Sequence, residues 1–184
     1  MKVAAVVASQ MVQLSPEPNE AHEVREEVTA YVALGANLGD AGAALKQAVH
    51  AMSALPLTVV SKTSSVYKTA ALGIDSSSDS SPDYLNAVVE LQTGLSAPVL
   101  LHHLQKIEQA AGRERPYINA PRTLDLDLLM YGSGSIDSAS LTVPHPRMMQ
   151  RAFVLVPLAE IARGLVSAAQ LAAVASQRIE RCGR

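Results

Sequence analysis

The apolar positions along the chain change period several times, and each change predicts an element. Residues 28–34 (Val-Thr-Ala-Tyr-Val-Ala-Leu) are almost continuously apolar and read as a first strand. Gly35-Ala36-Asn37-Leu38-Gly39-Asp40 then forms a turn, with Asp40 placed to cap a helix. In that helix Ala44, Leu45, Ala48, Val49, Met52 and Leu55 recur at three- and four-residue spacing, and Pro56 ends it. Residues 57–68 are rich in β-branched side chains and predict a second strand. A Ser/Asp-rich stretch, residues 73–83, has no apolar anchor after Ile74 and predicts a mobile loop.

Alternation returns at residues 84–91. Leu85, Ala87, Val89 and Leu91 fall on one face of a third strand, and Tyr84, Asn86, Val88 and Glu90 fall on the other. Ser96 is placed to cap a second helix, with Pro98 in its first turn and Leu100, Leu101, Leu104, Ile107 and Ala111 on its inner face. Gln105 and Glu108, three apart, are expected to share its polar side, and Gly112 ends it. A loop over residues 113–122 leads to a last strand, followed by a Gly/Ser turn at 132–135. Strand, helix, two strands, helix, strand is the order of a ferredoxin-like α+β fold: an antiparallel sheet with both helices packed on one face, tending toward three α/β/α layers.

That last strand breaks the apolar rule. In Pro121-Arg122-Thr123-Leu124-Asp125-Leu126-Asp127-Leu128-Leu129-Met130-Tyr131, side chains alternate, so Asp125 and Asp127 share one face while Leu124, Leu126, Leu128 and Met130 share the other. Two like charges so close repel unless a cation lies between them. Mg²⁺ suits the place, since it takes one or two carboxylates, waters and substrate phosphate oxygens. Arg122 adjoins the pair with a fork suited to phosphate. Taken alone, the segment also reads as a strand with one wet face.

Composition narrows the classes. With 48% hydrophobic and 17% charged residues in 184, the chain is globular, with a core of its own. Residues 1–27 turn acidic and proline-containing after Ser15 and predict a flexible N-terminal extension; residues 28–184 predict one domain. The apolar run at 3–8 is too short for a signal h-region or a membrane span. One cysteine, Cys182, excludes an internal disulfide and a cysteine metal site, which fits a cytoplasmic protein. A net charge of -2 gives no general attraction to nucleic acid or anionic membrane, so anions must be bound by local clusters. Arg113, Arg115 and Arg122 form one; Arg147 and Arg151 belong to a second.

The second cluster lies in Leu141-Thr142-Val143-Pro144-His145-Pro146-Arg147-Met148-Met149-Gln150-Arg151-Ala152-Phe153. It combines a hydroxyl, an imidazole held between two prolines, two arginines and the only Phe of the chain. The plainer reading is a structural turn with a solvated His. Elsewhere, Gly35-x3-Gly39-x2-Gly42 follows a strand but lacks the GxGxxG spacing of a dinucleotide site, and no Walker A sequence occurs. Carboxylates for metal and arginines for phosphate, without a Ser/His/Asp or Cys/His pair, point to phosphoryl-type transfer by positioning and electrostatics.

Over residues 31–160 the chain resembles the 6-hydroxymethyl-7,8-dihydropterin pyrophosphokinases of folate biosynthesis. The resemblance runs through Gly35-Ala36-Asn37-Leu38-Gly39, Ser65-Val66-Tyr67-Lys68-Thr69, Asp83-Tyr84-Leu85-Asn86, Gly112-Arg113, the Pro121 to Asp127 run and the Leu141 to Phe153 run. It implies transfer of diphosphate from ATP to the pterin hydroxymethyl oxygen, releasing AMP, with two Mg²⁺ ions. By the same resemblance Asp125 and Asp127 would hold the metals, Asp127 acting in catalysis with Arg113 and Arg122. Tyr84 and Phe153 would sandwich the pterin, with Asn86 and the backbone from Thr69 to Leu72 at its hydrogen-bonding edge. Gln105, Glu108, Arg115, Thr142, His145 and Arg151 would face the nucleotide. Family members often carry Trp where Asn119 stands, and this chain has no Trp. The partners implied are ATP and the pterin, with no nucleic acid and no membrane, and a monomer is expected. A binding homologue without turnover is the alternative; an RNA-binding ferredoxin-like module would need more than 3% aromatics and a basic surface.

Overall fold

The computed structural model describes residues 26–70, 82–112 and 123–183. The expected N-terminal extension, the Ser/Asp-rich stretch and the loop 113–122 therefore lie almost wholly outside the described residues. The central strand β1 (Val28–Ala36) is followed by α1 (Ala41–Ser53), β2 (Thr58–Thr63), β3 (Tyr67–Thr69), β4 (Tyr84–Thr93), α2 (Ala97–Ala110) and β5 (Asp125–Tyr131). A small hairpin, β6 (Ile136–Asp137) and β7 (Thr142–Val143), precedes α3 (Ala152–Ile161), α4 (Ala168–Ala173) and β8 (Glu180–Arg181).

The main sheet runs β5-β1-β4-β3-β8, with β2 also paired to β4, and its pairings are antiparallel. The ferredoxin-like α+β expectation holds. Alternation on the strands explains the layers. Val32, Leu34 and Ala36 of β1, Val89 and Leu91 of β4, and Leu126 and Leu128 of β5 pack with Leu45, Met52, Leu100 and Leu104 of α1 and α2. The opposite alternation, Tyr31, Ala33, Val88 and Leu129, packs with Val154, Leu155 and Leu158 of α3. Each fully buried Leu contributes roughly 2 kcal/mol of apolar burial, so α3 makes a third layer rather than a surface appendage.

Three local expectations are corrected. The single strand at 57–68 is two, because the Ser64 hydroxyl accepts the Val88 N–H at 2.9 Å and donates to the Ser65 carbonyl at 2.8 Å, replacing a ladder position with a side-chain bond. Met130 does not share a face with Leu128. The β1–β5 register shifts between Tyr31 and Val32, so Val32 opposes Leu128 and Tyr31 opposes Met130; the extra residue, Leu129, is a bulge that turns Met130 toward α3. Glu108 is not on a polar side of α2 with the exposed Gln105: it is buried and accepts the Leu126 N–H at 2.7 Å. Asp40 does cap α1, accepting the Ala43 N–H at 2.9 Å, whereas Ser96 caps α2 with no side-chain bond.

Candidate active site

The register places the site-bearing residues in rows across the α3 face of the sheet. Asp125 opposes Gly35, which opposes Asn86, which opposes Tyr67; one step along, Asp127 opposes Ala33, which opposes Val88. The residues of β1 beneath both carboxylates are thus small, and they leave the floor of this face low. Asp125 and Asp127 are half-buried at the edge of the sheet. Two groups from outside the sheet close that edge. The Glu108 carboxylate takes the Leu126 N–H, and the His145 N–H donates to the Leu129 carbonyl at 2.8 Å.

The second sequence cluster folds onto the same edge. The Val143-Pro144 peptide is cis, and the 3-10 turn Met148–Gln150 leads into α3. Arg151, at the N-terminus of α3, reaches Asp127 with 3.8 Å between Nη1 and Oδ2, and its guanidinium carbon stands 5.4 Å from the centre of the Phe153 ring. At that length and partial exposure the ion pair adds little stability; its effect is to place positive charge beside a carboxylate and against an aromatic face.

His145 Nδ1 accepts the Arg147 N–H at 3.2 Å, so the neutral imidazole carries its proton on Nε2. Burial pushes the His145 pKa down, and the nearby Arg151 and Arg147 push the same way against the opposing pull of Asp127. The ring is therefore a neutral donor near pH 7. His145, Thr142 and Asp127 line one open cleft of about 310 Å³ along the outer edge of β5, with Leu101 of α2 and Ser138 and Leu141 of the hairpin completing its wall.

On the other side of the face, Asn86 donates to the Thr69 hydroxyl at 3.0 Å, and Tyr84 opposes Thr69 across β3 and β4. The fold thus brings Asp125, Asp127, Tyr84, Asn86, Thr69, Phe153 and Arg151 to one face, and Thr142 and His145 to its edge. Gln105 and Glu108 belong to α2, on the opposite layer. Leu72, Arg113, Arg115 and Arg122 lie outside the described residues.

The sequence matches the family described as 7,8-dihydro-6-hydroxymethylpterin-pyrophosphokinase over residues 31–163. It is 47% identical over 139 residues to the 2-amino-4-hydroxy-6-hydroxymethyldihydropteridine pyrophosphokinase of Haemophilus influenzae, covering 76% of this chain and 84% of that one. The chain belongs to the pyrophosphokinase family. A relative of the same name from Bacillus subtilis is 43% identical over 132 residues, covering 72% of this chain and 77% of its own. In fold, wild-type HPPK-DHPS of Plasmodium falciparum superposes with a TM-score of 0.56 at 14% identity, covering 75% of this chain and 42% of that longer one.

The stretch matched by the family includes both aspartates, the His145 turn, Arg151 and Phe153, and it ends just after α3. Two hydrogen-bonded carboxylates inside it, Glu90 buried and Glu160 exposed, carried little signal. Glu90, in an otherwise apolar strand, receives bonds from the Tyr31 hydroxyl at 3.0 Å, Ser61 at 2.8 Å and Lys62 at 2.9 Å. Glu160, on α3, accepts the Ser65 N–H and hydroxyl at 3.0 and 2.8 Å and the Tyr67 hydroxyl at 3.0 Å, tying the third layer to β3. A lone charge among apolar neighbours was the one hint available for Glu90.

Proposed function

We propose that this pyrophosphokinase transfers diphosphate from ATP to 6-hydroxymethyl-7,8-dihydropterin in folate biosynthesis. The pterin hydroxymethyl oxygen attacks the β-phosphorus, the bond from that phosphorus to the α-phosphate oxygen breaks, AMP leaves, and the hydroxyl proton is lost. The observation that carries this reading is the shared face: two carboxylates of β5, the Arg151 guanidinium and the Phe153 ring converge there within a chain belonging to this family.

The roles follow the chemistry of each group. Tyr84 and Phe153 offer flat apolar faces to the pterin, and Asn86, with the backbone from Thr69 to Leu72, meets its polar edge. Thr142 and His145 face the nucleotide from the cleft along β5, joined by Arg151 from the adjoining face and by Gln105, Glu108 and Arg115. Arg113 and Arg122 stabilise charge on the transferring group. Asp125 and Asp127 are two hard oxygen donors on one strand face, and such a pair suits two Mg²⁺ ions that keep coordination places for phosphate and water. Bound there, the ions would neutralise and polarise phosphate oxygens.

Among the described residues no helix is long and apolar enough to cross a membrane. A monomeric cytoplasmic enzyme, acting on small molecules without nucleic acid or membrane, is the arrangement that suits this chemistry. The decisive experiment supplies ATP, Mg²⁺ and hydroxymethyl-dihydropterin and measures AMP. Pterin-dependent AMP release is expected; binding of both ligands with no AMP above background would leave only a binding protein.

A further inference from the structure

The residues after 163 lie beyond the stretch matched by the family, yet they hold the segment that carries two of the proposed site residues. Arg151 is the N-cap of α3 and makes no side-chain capping bond, so the first N–H groups of that helix need partners from elsewhere. Gln177 supplies one. Its side-chain oxygen accepts the Ala152 N–H at 2.8 Å, and its side-chain nitrogen donates to the Gln150 carbonyl at 2.8 Å. The amide therefore grips the backbone on both sides of Arg151. Gln170 adds a contact to the same turn, 3.3 Å from the Met149 sulfur.

Farther along, the same segment reaches the other side of the face. The Cys182 N–H donates to the Val66 carbonyl at 2.9 Å, β8 pairs with β3, and Arg181 bonds the Ser65 hydroxyl and, at 3.3 Å, Glu160 of α3. β3 ends at Thr69, the partner of Asn86. One short stretch thus spans from the start of α3 to the strand that carries the polar edge of the site.

We propose that Gln177 is a positioning residue for the transfer reaction, fixing the turn that aims Arg151 at Asp127 and presents Phe153 to the pterin. This rests on the reading of Arg151 and Phe153 as substrate-facing groups. A two-bond bracket suits the task because each bond is anchored to backbone, not to another mobile side chain. Removing both should let the turn relax, and placement errors near reacting groups cost rate steeply.

The test is pterin binding followed by the ligand's own fluorescence, which no Trp in this chain obscures, alongside kcat and melting temperature. Gln177→Ala is expected to weaken pterin binding and lower kcat by about tenfold, the scale of two lost hydrogen bonds, with a melting temperature lowered by several degrees but a single cooperative transition retained. Gln177→Glu keeps the acceptor for the Ala152 N–H and adds charge favoured at a helix N-terminus but loses the donor to the Gln150 carbonyl, so it should recover part of the binding, and it serves also if the alanine variant fails to fold. In a Phe153→Ala background Gln177→Ala should cost pterin binding nothing further. If Phe153→Ala alone leaves pterin binding intact, the reading of the site fails. If Phe153→Ala weakens binding while Gln177→Ala does not, or if the two losses simply add, the positioning role is overturned.

Discussion

Asp127 is the residue on which most lines of force meet. Its carboxylate pairs with Arg151, its charge acts on His145, and it borders the cleft along β5. Asp127→Ala should lower turnover by on the order of a thousandfold or more, because several kcal/mol of charge stabilisation at the phosphates is lost. Pterin affinity should change by less than about threefold. Steady-state AMP release and pterin fluorescence titration measure the two effects separately, and retained turnover would remove the metal role. Phe153 divides the ligands the other way. Phe153→Ala should weaken pterin binding by about 1–3 kcal/mol, the scale of base stacking on an aromatic ring, while ATP alone binds nearly as before; equal losses for both ligands in calorimetry would contradict the sandwich. The aspartate pair was legible in the sequence because charge in an apolar strand demands a reason. The approach of Arg151 to Asp127 was not, since it joins residues 24 positions apart through a turn and a helix start that no periodicity specifies.

At the scale of elements, α1, α2, β1, β4 and β5 could be read from period alone because each buries one face or stripe. α3 could not. It is apolar nearly all round and carries Pro157, which ordinarily argues against a helix interior because its ring removes the bond to the Phe153 carbonyl. Burial between sheet and tail outweighs that loss. β3 merged with β2 in the sequence pattern and β8 escaped it for a related reason: three- and two-residue strands carry too few positions for alternation, and Glu160 ties α3 against β3 and Arg181. Glu160→Ala should therefore destabilise the protein by about 1–2 kcal/mol, since the buried Tyr67 hydroxyl loses its acceptor, with a matching fall in denaturation midpoint at unchanged slope. Amide exchange should rise first in β3 and β8, and uniform loss of protection across the sheet would show that Glu160 does not act locally.

For the whole molecule, the domain is proposed to begin with β1, so deleting residues 1–25 should leave melting temperature and AMP release within experimental error; a large loss of either would make that segment part of the folded unit. Resistance to acid is a second global property, and Glu90 sets much of it. Burial pushes its carboxyl up, but bonds from Lys62, Ser61 and Tyr31 outweigh burial, and its pKa falls below the ordinary 4.5. Tyr31, raised to about 12 by burial and by its bond to Glu90, stays protonated and keeps donating. Because the folded state holds this proton less tightly than the unfolded chain, the stability contributed is fully present above about pH 4.5 and is lost as pH falls through the lowered value. Glu160 is lowered in the same direction, its bonds from Ser65 and Tyr67 outweighing burial, so acid weakens both the sheet's distal end and the α3–β3 tie together. Glu90→Gln should lower stability at pH 7 and flatten its decline between pH 5 and 3, as read by urea unfolding across that range. A variant whose acid decline ran parallel to that of the parent protein would show that the proton linkage lies elsewhere.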